Sequence, residues 1–325
     1  MAQIVGAFNM SHSPYCYRDP ETWNQGRARR PVREDVPFDD VDECKRKMGR
    51  IEDAYDTLRQ KLAETKPDVM VVFGDDVFDF SAFPQFAVYV GAEFAGFIPD
   101  YDPETHRNTG NQQMQPLKGH PELGTSVLNG LMKRGFDPAF CLSMQDPERG
   151  MGHSIMHPAA SLTDYALPIL PVNINVLFGP QPTAMRCYEF GKAVRGAIED
   201  HPEDLRVAVC GSGGLWHTPG NKEAWLNEDF DREMLRCLEA GDARAMAEYF
   251  DGYNTAGDVS QVVGHMGRGS GLPSYGGPQG GTRETCAWIA AAGVVDGTRS
   301  TIVDYVPVYS SPVGAGFAYA TEITS

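Results

Sequence analysis

The chain has 325 residues, 42% of them hydrophobic, so it can bury a large apolar core and is not a tail-dominated disordered protein. Its 44 acidic residues against 28 basic ones give a formal net charge of −16, which repels nucleic acid and anionic membrane surfaces. The seven cysteines form no zinc-binding pattern, and neither a signal peptide nor a run of about 20 apolar residues is present. We therefore expect a cytoplasmic protein with reduced thiols that binds neither nucleic acid nor membrane.

The first predicted strand covers residues 4–8 and is followed by His12 in a polar loop. Functional loops of open α/β sheets follow the carboxyl ends of strands in this way. Residues 40–64 have apolar side chains at spacings of three and four, which predicts an amphipathic helix. Residues 69–73 are a continuous β-prone run, typical of a buried parallel strand, and they lead into Gly74-Asp75-Asp76.

The later segments alternate between helical and strand patterns. The helical segments are residues 121–134, 183–199 and 227–250, and the strand-like ones are 138–143, 167–177 and 205–210. This alternation predicts a single α/β domain over residues 1–325, with a mostly parallel central sheet flanked by helices. Residues 252–281 are rich in Gly, Ser and Pro and are predicted to form a long loop, in the position of a lid.

Four polar residues at the loops are candidates for a site, and each has a structural alternative. His12 could cap the next element, and Asp76 could form a strand-end turn or a helix cap. Glu284 could be a first-turn carboxylate favoured by the helix dipole, with Thr282 as N-cap. His217 follows a glycine turn that lacks the Lys of a P-loop, and an imidazole there could move a substrate proton near neutral pH.

Six segments in order resemble the class III extradiol ring-cleavage dioxygenases, especially the catalytic β subunits of protocatechuate 4,5-dioxygenases. These segments are SHSP, the strand ending in GDD, GHPEL, PVNINV with PQPTAMRCYEFGKAVRGAI, GSGGLWH, and GGTRETCAWIAAAG, within residues 3–320. The resemblance implies that His12 and Glu284 bind a metal and that His217 is the acid/base. Where the family reads Asn-Asp-His, this chain places Asp76 on the second ligand histidine.

The resemblance implies Fe(II) as the cofactor, with Mn(II) or another divalent metal as the alternative. Replacing an imidazole by a carboxylate shifts preference toward metals that favour oxygen donors. The implied reaction opens the ring of a catechol-like or aminophenol-like aromatic, carboxylated ones included, with O2. His153 and His157 are candidates to replace the missing histidine, and His153, Trp216 and Tyr309 are expected to line the substrate, although such aromatics are commonly core residues.

Two other functions stay open from the residues alone. One is a non-redox metal-dependent hydrolase or lyase acting on a phenolic or oxo-acid substrate. The other is a metal-free descendant kept for binding or as a partner subunit. The resemblance also implies a small α subunit or a homo-oligomer. Four arginines could meet a substrate carboxylate or form a solvated basic face, namely Arg18, Arg27, Arg29 and Arg30.

Overall fold

Ten strands and eight helices lie in the part of the chain that the computed structural model describes, which is residues 1–29, 31–76, 83–102, 104, 108–218, 223–253, 277–278 and 280–324. The strands are β1 (Gln3–Met10), β2 (Val69–Gly74), β3 (Phe86–Tyr89), β4 (Glu93–Gly96), β5 (Gln115–Lys118), β6 (Ala139–Cys141), β7 (Ile169–Ile174), β8 (Arg206–Ser212), β9 (Thr301–Val308) and β10 (Val313–Ala320). The helices are α1 (Trp23–Arg29), α2 (Val41–Thr65), α3 (Pro121–Lys133), α4 (His153–Thr163), α5 (Ala184–Glu199), α6 (Glu228–Ala240), α7 (Ala243–Gly252) and α8 (Thr285–Val294).

Eight of these strands form one sheet in the order β6-β3-β7-β2-β8-β1-β10-β9, and β4 pairs with β5 separately. The central neighbours β7, β2, β8 and β1 are all parallel. The pairs β3 with β7, β1 with β10, and β10 with β9 are antiparallel. The predicted α/β fold with a mostly parallel central sheet is therefore confirmed, with antiparallel strands added towards both edges.

Apolar side chains cover both faces of the sheet, which explains why its central strands are uniformly hydrophobic. Every residue of β2 and of β7 is buried. One apolar cluster joins a sheet face to α5 and α8, and a second joins the other face to α2 and α4. A parallel strand buried on both faces has no polar side to alternate with, so continuous apolar runs are its sequence signature.

Helix ends follow from local capping. The predicted helix over residues 40–64 is α2, whose N-cap Asp40 accepts a hydrogen bond from Glu43 N at 2.7 Å. The single helical pattern over residues 227–250 is instead two helices, because Gly241 adopts a left-handed φ of 76° and ends α6.

No helix among the described residues is long and apolar enough to cross a bilayer. The predicted lid over residues 252–281 lies mostly outside the described residues.

Candidate active site

Three acidic or imidazole side chains meet at one edge of the sheet. His12 follows β1, Asp75 follows β2 directly, and Glu284 ends the short 3-10 helix Gly280–Glu284 before α8. Because β2, β8 and β1 are parallel neighbours, their carboxyl ends share this edge. One ligand atom from each of the three residues lies within 4.8 Å of the others. We call His12, Asp75 and Glu284 the acidic triad.

Hydrogen bonds fix the orientation of the His12 ring. Its Nε2 lies 3.2 Å from Glu284 Oε2 and 4.0 Å from Asp75 Oδ1. Its Nδ1 lies 3.0 Å from the hydroxyl of Ser212, the last residue of β8. A hydrogen bond on the far ring nitrogen holds an imidazole so that the other nitrogen points at a metal or carboxylate. The Nε2 atom of His12 therefore faces the two carboxylates.

His217 lies on the other side of Glu284. Its Nε2 is 3.1 Å from Glu284 Oε1, and its Nδ1 is 3.0 Å from the carbonyl oxygen of Leu215. The carbonyl can only accept, so Nδ1 carries a proton and Nε2 is the atom directed into the site. The glycine turn before His217 brings the two segments together, because a Cβ on Gly213 would lie 2.9 Å from Glu284 Cβ and its φ of 140° favours glycine.

The pKa values of the acidic triad are shifted strongly by its burial and its charges. Burial lowers the pKa of His12, but its hydrogen bond to Glu284 and the nearby carboxylate charges outweigh this and raise it to about 9. Burial and the charge of Glu284 raise the pKa of Asp75 to about 7. Burial opposes ionisation of Glu284, yet the charges and hydrogen bonds of His217 and His12 hold its pKa well below the usual value.

These donors fit a divalent cation. One imidazole and two carboxylates are within coordinating reach of a common centre, and the triad is almost closed to water, since only 13% of the Asp75 side chain is exposed. The nearby carboxylates raise the pKa of His12 and of His217, and protons on these imidazoles would offset the carboxylate charge when no metal is bound. A bound cation would take over that role and displace protons.

Asp76 has different contacts from Asp75. Its Oδ2 accepts hydrogen bonds from Ser154 Oγ at 2.6 Å and from Ile155 N at 3.2 Å. Both donors belong to the first turn of α4, whose own N-cap, Gly152, makes no side-chain cap. Asp76 thus caps α4 from a neighbouring loop, which is the helix-cap alternative, while the adjacent Asp75 is the carboxylate grouped with His12 and Glu284.

The two histidines of α4, His153 and His157, contact different residues. The ring of His153 contacts the ring of His12 edge-on, with centroids 4.7 Å apart and planes at 85°. His157 is one turn further on and packs between the rings of Tyr17 and Tyr55. Burial lowers the pKa of His157 to about 3, so this imidazole is neutral. Of the two, His153 is placed beside the acidic triad.

Trp216 and Tyr309, which were expected to line the substrate, pack against other parts of the protein. The ring of Trp216 is fully buried and packs against Trp225 and Phe230, which corresponds to its core alternative. The hydroxyl of Tyr309 donates to Glu228 Oε1 at 2.6 Å, and Lys47 Nζ lies 4.1 Å from the centre of its ring. These contacts tie Tyr309 to α6 and α2.

A cavity of about 260 Å³ lies between residues 17–22 and residues 99–102. Tyr17, whose ring packs on His157, lines it together with Arg18. The guanidinium carbon of Arg18 lies 3.5 Å from the centre of the Tyr101 ring. The same wall contains three carboxylates, Asp19, Asp100 and Asp102.

Arg27, another arginine of the early segment, does not line this cavity. The guanidinium of Arg27 donates to the backbone carbonyls of Val36, Pro37 and Tyr309, so it stabilises a loop. The Arg29 side chain and Arg30 lie outside the described residues.

Two residues that sequence reasoning did not assign to the site hold the loop of His217. The Thr282 hydroxyl accepts a hydrogen bond from His217 N at 3.1 Å and donates one to His217 O at 2.9 Å. A carboxylate oxygen of Asp231 accepts from Trp216 N at 2.8 Å. Thr282 was expected as a helix N-cap, and no local pattern marks Asp231, because these contacts span 65 and 15 residues of the chain.

Residues 6–270 match the protein family described as the catalytic LigB subunit of aromatic ring-opening dioxygenase. A gallate dioxygenase of Pseudomonas putida KT2440 is 33% identical over 132 residues, which are 39% of this chain and 37% of that protein. A 2,3-dihydroxyphenylpropionate/2,3-dihydroxicinnamic acid 1,2-dioxygenase of Rhodococcus jostii RHA1 is 27% identical over 219 residues, which are 66% of this chain and 57% of that protein. The match with each of these relatives thus spans less than two thirds of its length.

An uncharacterized protein from Escherichia coli K12 has a similar structure. The TM-score is 0.51 at 13% sequence identity, and the match covers 97% of this chain and 99% of that one. At this identity the likeness is one of fold, and it extends over nearly the entire chain.

Proposed function

Because the chain belongs to the family of catalytic LigB subunits of aromatic ring-opening dioxygenases, we propose that it opens the ring of a catechol-like or aminophenol-like aromatic with O2. The observation that carries this proposal is the acidic triad with His217 beside it, at the carboxyl edge of the parallel strands. The named relatives act on gallate and on dihydroxyphenylpropionate, which are both carboxylated aromatics with adjacent hydroxyls.

We assign Fe(II) to the acidic triad, with His12, Asp75 and Glu284 as its ligands. Held by these three residues, Fe(II) would supply the redox chemistry that a reaction with O2 requires. Asp75 then takes the ligand role that the resemblance placed at Asp76, and Asp76 caps α4. Mn(II) fits the same donors.

His217 is proposed as the acid/base. Its Nδ1 is committed to the Leu215 carbonyl, so Nε2 is the atom that can exchange a proton with the substrate. It accepts the proton of a substrate hydroxyl when the aromatic binds and returns it as the ring opens. The contact of Nε2 with Glu284 keeps this atom next to the metal ligands.

The substrate's carboxylate, where it has one, is proposed to meet Arg18. A guanidinium suits a carboxylate through paired hydrogen bonds, and Arg18 lines the cavity whose wall packs on α4. His153, whose ring contacts that of His12, is proposed to contact the substrate or O2 beside the acidic triad.

A non-redox hydrolase or lyase is the second candidate. The observation that favours it is the donor set, because two carboxylates and one imidazole suit a redox-silent, oxygen-preferring metal better than two imidazoles and one carboxylate do. In this alternative a metal held by the same three residues would supply Lewis-acid chemistry, and His217 would still transfer the proton.

The deciding experiment combines metal analysis of protein purified without oxygen and oxygen uptake. The panel contains gallate, 2,3-dihydroxyphenylpropionate, catechol and 2-aminophenol, with resorcinol as control because its hydroxyls are not adjacent. Stoichiometric iron with uptake on the panel and none on resorcinol supports ring cleavage. Bound Mg, Mn or Zn without uptake supports the hydrolase or lyase, and absence of any metal contradicts both.

The assembly and location stay predictions. A small α subunit or a homo-oligomer follows from the family resemblance, and the cytoplasmic location follows from the sequence. The mass of the purified particle in light scattering, with and without co-purifying chains, tests the first.

A further inference from the structure

The hydroxyl of Thr282 is bonded to both backbone groups of a single residue. It accepts from the N–H of His217 and donates to the C=O of the same residue. Thr282 is completely buried, so water does not compete for these bonds. Threonine hydroxyls in the first turn of a helix ordinarily cap that helix, whereas here the hydroxyl reaches 65 residues back along the chain.

The position of Thr282 joins the two functional segments. It lies two residues before Glu284, in the same 3-10 helix. The two residues directly before His217 are held by other segments: Leu215 N donates to Gly314 O at 2.9 Å, and Trp216 N donates to Asp231 at 2.8 Å. Gly214 N, one residue earlier, donates to Glu284 Oε2 at 3.4 Å. The hydroxyl of Thr282 is the contact that ties the backbone of His217 itself to the segment carrying Glu284.

We propose that Thr282 is a positioning residue, which holds the acid/base imidazole of His217 in register with the metal ligand Glu284. This inference rests on the proposed function. The side-chain contact between His217 and Glu284 cannot do this alone, because a carboxylate that binds a metal has fewer lone pairs left for the imidazole. The backbone contact through Thr282 is unaffected by metal binding.

The chain offers a matched control three residues away. Thr285 is also completely buried, and within the described part of the chain its hydroxyl has no hydrogen-bond partner. Thr285→Val therefore removes the same atom as Thr282→Val without removing a contact to His217. Thr282→Ser keeps the hydroxyl and loses only a methyl group.

The experiment measures kcat, KM and iron content of the holoenzyme for these three variants with gallate or 2,3-dihydroxyphenylpropionate. Thr282→Val should lower kcat by about 10- to 100-fold, since small displacements of a reacting group have effects of this size. KM and iron per chain should stay within about twofold of the parent protein, and Thr282→Ser and Thr285→Val should retain most of the activity. The loss in Thr282→Val should shrink as pH approaches about 10, where phenols ionise without a base.

A parent-like kcat in Thr282→Val, an equal loss in Thr285→Val, or loss of iron from Thr282→Val would each overturn the proposal. Hydrogen exchange of the peptide containing His217 provides a readout without activity. Faster exchange in Thr282→Val than in Thr282→Ser supports the contact, and equal exchange overturns it. If the parent protein consumes no oxygen on the whole panel, the proposed function fails, while the exchange measurement still decides whether Thr282 holds His217.

Discussion

The neighbouring carboxylates of Asp75 and Asp76 can be separated by exchanging each for its amide. Asp75→Asn and Asp76→Asn change volume equally and each remove one charge. Asp75 belongs to the acidic triad, whereas the Asp76 carboxylate accepts from Ser154 and Ile155 at the start of α4. The structure therefore predicts opposite effects on metal binding and on stability.

The expected magnitudes follow from these contacts. Residues that only support a metal ligand change affinity by about 10- to 100-fold, so loss of the proposed ligand Asp75 should weaken binding by about 100-fold or more. An amide at residue 76 can still accept the two hydrogen bonds, so Asp76→Asn should lose only the charge at the helix N-terminus, about 0.3–1 kcal/mol of stability. Asp76→Ala, which also removes the cap, should lower the free energy of unfolding by about 1–2 kcal/mol.

The assay is competition of Fe(II) or Mn(II) against a fluorescent chelator, without oxygen, with urea unfolding of the metal-free protein in parallel. Asp75→Asn should bind metal weakly, and Asp76→Asn should bind it within about tenfold of the parent protein. The reverse result, weak binding in Asp76→Asn and normal binding in Asp75→Asn, would refute the assignment and restore Asp76 as the ligand.

Three further predictions concern the same site. His217→Gln should lower kcat by about 100-fold or more at unchanged metal content, and undiminished oxygen uptake would exclude it as the base. Metal binding must displace the proton of His12, whose pKa is about 9, and below pH 7 also that of Asp75, whose pKa is about 7. Affinity should thus rise about tenfold per pH unit between pH 7 and 9 and more steeply below 7, and a flat profile in chelator titrations would contradict this. Arg18→Gln should raise KM for gallate by about tenfold and leave KM for pyrogallol, which lacks the carboxylate, unchanged; equal effects on both would contradict a carboxylate contact.

The central part of the fold was predictable because each strand there carries its own signal. Residues 69–73 and 207–210 are apolar throughout, as burial on both faces requires. The strands β9 and β10 were not predicted. The sequence of β10, VGAGFAYA, is rich in Gly and Ala, which have low strand propensity, and its place is set by antiparallel pairing with β1 at the far end of the chain.

The sequence predicted which loops carry the candidate site residues, but it did not predict which of two neighbouring carboxylates faces His12. Their positions after strands or before a helix made His12, His217 and Glu284 candidates, and the family resemblance assigned their roles. Which carboxylate faces His12 depends on Ser154, which binds Asp76 from 78 residues further along the chain. No local sequence pattern indicates such a long-range contact. Whether Asp75 or Asp76 faces His12 is therefore decided by the tertiary structure.

The exchange of an imidazole for a carboxylate changes the charge that the site must balance. Two carboxylates and one imidazole neutralise a divalent cation completely, whereas two imidazoles and one carboxylate leave it one positive charge. A catechol bound as an anion therefore meets a less favourable potential here. An imidazolium at His217, held 3.1 Å from Glu284, supplies the missing positive charge once it has taken the substrate's proton. For this reason we expect the chain to depend more on the exact placement of His217, and hence on Thr282, than a site with two histidine ligands would.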